Sequence, residues 1–67
     1  MGAKHIFEKV KQAAMSKGAD EITANFFGIF AQEDWVAKGM TKRDCCIAHV
    51  QEWATQATSD KAAELLA

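Results

Sequence analysis

The chain has 67 residues, enough for one domain (1–67) but too few for a deep core, so its stability should be thin and lean on a disulfide, a metal or a partner subunit. Apolar residues make up 49% and charged ones 25% with both signs mixed, which argues against disorder, and a net charge of −1 rules out a global positive field for nucleic acid or an anionic membrane. The segment poorest in charge, residues 22 to 31, is about half the roughly 20 residues of a membrane span, and the charged start MGAKHIFEKVKQ carries no apolar run of secretory type; the expectation is a cytoplasmic protein without a membrane partner.

In chain order, Ile6, Phe7, Val10, Ala13 and Ala14 recur at helical spacing, with Lys4, Glu8, Lys11 and Gln12 on other faces. Residues 3–17 therefore read as an amphipathic helix, and Lys17 followed by Gly18 suits a last turn with a left-handed cap. Asp20 is placed to cap the next helix, with Glu21 complementing the dipole in its first turn. There Ile22, Phe26, Ile29 and Phe30 share one face, read as the buried one. Phe27 falls beside that stripe, and Trp35 would fall almost opposite it in an unbroken helix. A bend near Gln32 to Asp34 is expected, giving helices over about 21–31 and 33–38. A strand through ITANFFGIF competes, but no other segment alternates with period 2 to pair with it.

Gly39 closes the short helix, and Thr41 with Asp44 approximates a capping box for a helix over 42–57. Cys46, Ile47, Val50, Trp53, Ala54 and Ala57 form its apolar stripe. Lys61 and Glu64 would land on that stripe if the helix continued, so a break is expected around Thr58 to Asp60. Thr58 or Ser59 would cap a last helix over 60–66, held by Leu65 and Leu66. The fold class is all-α, a compact bundle of four to five short helices.

The chemistry-bearing residues are few. A bridge between the adjacent Cys45 and Cys46 would strain a helix badly, and Cys46 sits where a thiol acts as a small buried hydrophobe. Cys45 and His49 are one turn apart, a spacing for two metal ligands. Structural zinc needs four ligands, however, and the only other histidine is His5, so no metal and no cofactor are expected. No phosphate loop, dinucleotide fingerprint, HExxH or GxSxG occurs, so no catalytic residue is assigned and an enzyme is not expected.

The segment DWVAKGMTKRDCCIAHV resembles a helix-turn-helix, with Lys38, Lys42 and Arg43 as a local basic patch at the start of the second helix. It departs from the motif at Trp35, which occupies the position usually held by a small residue, and Glu33, Asp34 and Asp44 crowd the patch with negative charge. DNA binding is therefore the alternative reading. The leading one is a protein–protein interaction module, an adaptor, inhibitor or regulator of a kind that mobile elements also encode. Six aromatics are hard to enclose in so small a bundle, and Phe27 and Trp35 are expected to be the exposed pair that anchors a protein partner or a homodimer. The competing outcome is that packing between helices curls round and buries both.

Overall fold

The computed structural model describes residues 3–39, 43–59 and 62, apart from the side chains of residues 3 and 43–46. Every element among these residues is helical: α1 (Ala3–Ser16), α2 (Glu21–Ala37) and α3 (Arg43–Ala57). The all-α class holds, and each helix packs on the other two. Three helices stand in place of four or five. The helix expected over 33–38 is the end of α2, and the one expected over 60–66 lies, apart from the helical Ala62, outside the described residues.

The junction between α1 and α2 follows from its residues. The Ala19 N–H donates to the Ala14 carbonyl at 3.0 Å and the Gly18 N–H to that of Met15 at 3.1 Å, which satisfies carbonyls left open by the end of α1. Gly18 takes φ 109°, a conformation that a side chain would resist. Asp20 follows in extended backbone and accepts the Thr23 N–H at 2.9 Å, so it caps α2 as its residue type suggests. At the far end of α3, the Thr58 hydroxyl donates to the Thr55 carbonyl at 3.1 Å and the Ser59 hydroxyl to that of Gln56 at 2.8 Å. These two residues thus close α3 with their hydroxyls, and the Ala62 N–H returns to the Ser59 carbonyl at 3.1 Å.

The α1 stripe is buried as its spacing predicts: Ile6, Val10 and Ala14 are fully enclosed. From α3 come Val50, Ala54 and Ala57, with Trp53 packed against the core from a half-buried position. Ile47, assigned to that stripe, is instead 60% exposed, because it sits at the edge of the α3 face that meets α1 and α2.

In α2 the two faces are exchanged. Ala24, Phe27, Gly28, Ala31 and Trp35 point inward at helical spacing. Ile22, Phe26 and Ile29, read as core, point out. This exchange removes the reason for a bend, since Trp35 is opposite the outer stripe because it lies on the inner one, and the helix runs unbroken through Gln32 to Asp34. Gly28 shows why this face was chosen. A Cβ there would stand 2.9 Å from the Phe7 ring and 3.0 Å from the Phe7 carbonyl oxygen, so α1 crosses α2 at a distance that only a hydrogen permits.

Candidate interaction surface

Phe27 and Trp35, the residues expected to anchor a partner, are core. Phe27 is fully buried and Trp35 is 2% exposed, so the aromatic excess that singled them out does not place them on the surface. Phe27 meets the Phe30 ring edge-on at 5.6 Å between centroids and Trp53 at 6.1 Å, while Trp35 meets the His49 ring edge-on at 5.5 Å. The physical reason is the geometry of three helices: a face that looks lateral when one helix is considered alone is the face on which two neighbours converge.

What α2 presents instead is an outer stripe of Ile22 (68% exposed), Phe26 (46%), Ile29 (38%) and Val36 (62%). Steps of four, three and seven residues keep the four on one side of the helix, about 180° from the core face. Glu33 lies within the stripe and Asn25 at its edge, both exposed. With an apolar inner face as well, α2 carries two apolar faces, divided by Thr23 and Asp34 on one flank and Asn25 and Gln32 on the other. Among the described residues neighbours cover only one side.

The stripe continues toward α3. Phe26 and Phe30 are 6.4 Å apart between ring centroids, Phe30 and Trp53 6.5 Å. Phe30 and Trp53 form, with Glu33, Asp34, Ala37 and Gln56, an open groove of about 470 Å³ between the two helices. Phe30, Ala37 and Trp53 supply its apolar lining, and Glu33 and Asp34 its carboxyl groups.

The charges around the groove are partly committed. The Asp34 carboxylate holds the Lys38 ammonium at 3.0 Å, one turn on, and stands 3.8 Å from Nδ1 of His49. His49 is buried, and its Nε2 lies 3.0 Å from the Ala31 carbonyl oxygen. A carbonyl only accepts, so Nε2 carries the hydrogen and the ring ties α3 to α2. This role for His49 left no signal in the spacing, which suggested only a flank shared with Cys45; the Cys45 side chain is outside the described residues. Of the basic patch assigned to DNA, Lys38 is exposed and paired with Asp34, whereas Lys42 and the Arg43 side chain lie outside the described residues. Among the described residues no helix is long and apolar enough to cross a membrane, and no three His, Cys, Asp or Glu side chains gather as metal ligands would. Comparison of the chain with protein-family models, curated proteins and solved structures gave no match.

Proposed function

We propose that the chain is a small, non-enzymatic protein–protein interaction module that docks in the cytoplasm through the outer face of α2. The observation that carries this reading is the exposed stripe of Ile22, Phe26, Ile29 and Val36, directly opposite the core face. Ile22, Phe26 and Ile29, with Val36 beyond Glu33, follow the pattern of helix-to-helix recognition, in which anchors recur at i, i+4 and i+7. The groove beside it adds the half-buried Phe30 and Trp53, residue types that carry binding energy at interfaces. An adaptor, inhibitor or regulator needs no more than such a face on a stable support.

The test is retention of proteins from the native host by the immobilised chain and by its Ile22→Glu/Val36→Glu variant. Both positions are exposed, so circular dichroism and thermal unfolding should show the variant folded, and a protein held by the wild type, whether a host protein or further copies of the chain, should be lost. Identical retention by both would remove the reading. The alternative, DNA binding through Lys38, Lys42 and Arg43, asks Lys38 to exchange its 3.0 Å pairing with Asp34 for a phosphate. A mobility shift on duplex DNA at low salt, lost in Lys42→Ala/Arg43→Ala, would favour it.

A further inference from the structure

We infer that the occupant of the outer face of α2 is a second copy of this chain, docked as an antiparallel α2–α2 pair about a twofold axis beside Ile29. This rests on reading that face as an interaction surface and names its partner. The first support is how apolar side chains are distributed. Among the described residues, six of the eleven buried hydrophobic ones are alanine, whereas Ile22, Phe26, Ile29 and Val36 all point out. A core in which alanine supplies so many of the contacts gains from covering these large exposed side chains, and a second copy is a companion present wherever the chain is made.

The second support is area. The four outer side chains expose roughly 400 Å², within the range of the largest apolar patch on a small protein, which often has a function. Pairing two such strips buries about twice that. The flanking Asn25, Gln32 and Glu33 add to this, which puts the pair at the small end of specific interfaces, where association is weak and concentration-dependent.

The third is self-complementarity. With Ile29 on the axis, Ile22 of one copy meets Val36 of the other and Asn25 meets Glu33, so a carboxamide donor faces each carboxylate that lies in the stripe. At 1.5 Å rise per residue the two Glu33 positions stand about 12 Å apart along the pair. That exceeds the Debye length of about 8 Å at physiological ionic strength, so their repulsion is largely screened. A parallel pair would instead set Glu33 against Glu33.

Sedimentation equilibrium of the full chain from low to high micromolar concentration should show mass rising from 7.3 kDa toward twice that value. Ile29→Glu brings two carboxylates together on the axis and should weaken association at least tenfold while circular dichroism stays that of the wild type. Register is read by cross-linking in a Cys45→Ser/Cys46→Ser background. Oxidised Ile29→Cys should give a covalent dimer, Ile22→Cys alone should not, and Ile22→Cys mixed with Val36→Cys should. A chain that stays monomeric throughout, a dimer indifferent to Ile29→Glu, or ready self-linking of Ile22→Cys would each overturn the pairing. If the chain is monomeric yet Ile22→Glu/Val36→Glu still abolishes retention of a host protein, only self-pairing fails and the interaction face stands.

Discussion

At Gly28 a missing side chain sets the spacing of two helices. Alanine is the better helix former by about 1 kcal/mol. Its methyl group would nonetheless press on both the Phe7 ring and the Phe7 carbonyl, and the carbonyl belongs to a backbone that cannot turn aside. Overpacking of about 1–3 kcal/mol should outweigh the gain in propensity, so Gly28→Ala is expected to lower the urea midpoint of unfolding, and Gly28→Val to lower it much further. Asp20 acts through charge as well as shape. Hydrogen bonds from Thr23, through its side chain first and its backbone N–H second, hold the Asp20 carboxyl below the ordinary carboxylate range. A carboxyl shifted downward on folding stabilises the fold fully above its unfolded pKa and loses that contribution as pH falls through its folded value. The thermal midpoint of wild type relative to Asp20→Asn, which caps without titrating, should therefore be flat near neutrality and fall in strong acid.

Across elements, α1 was legible because its apolar residues occupy one face and leave nothing to choose. In α2 the periodicity was equally clear but did not say which apolar face turns inward, since Ile22–Phe26–Ile29 and Phe27–Ala31–Trp35 both repeat at helical spacing. The signal that decides it is smallness: Ala24, Gly28 and Ala31 lie together on the inner face and let α1 approach, and a glycine inside a helix is costly unless something needs its space. The expected bend near Gln32 was a consequence of the wrong face and vanishes with it. The exposed stripe of α2 was illegible for the same reason, its residues Ile22, Phe26 and Ile29 having been assigned to the core. The element-scale prediction follows directly. Phe27→Ala and Trp35→Ala should each cost about 3–5 kcal/mol by denaturant titration. Ile22→Gln and Val36→Gln should stay within about 0.5 kcal/mol when measured at concentrations too low for association.

For the whole molecule, the α2–α2 pairing inferred above would make the stability of this 67-residue chain depend on its concentration. A partner that binds only the folded state raises the unfolding midpoint by mass action. Calorimetric midpoints should climb with each tenfold increase in chain concentration and flatten in Ile29→Glu. The burial of one indole and the partial exposure of the other carry a consequence for watching this happen. Trp35, at 2% exposed and enclosed against His49, should emit at short wavelength and ignore iodide, while Trp53 in the groove should emit further to the red and be quenched. The chain thus carries two unlabelled optical channels. One reports whether it is folded, and the other whether anything enters the groove between α2 and α3, so a single titration can separate unfolding from a change at the groove.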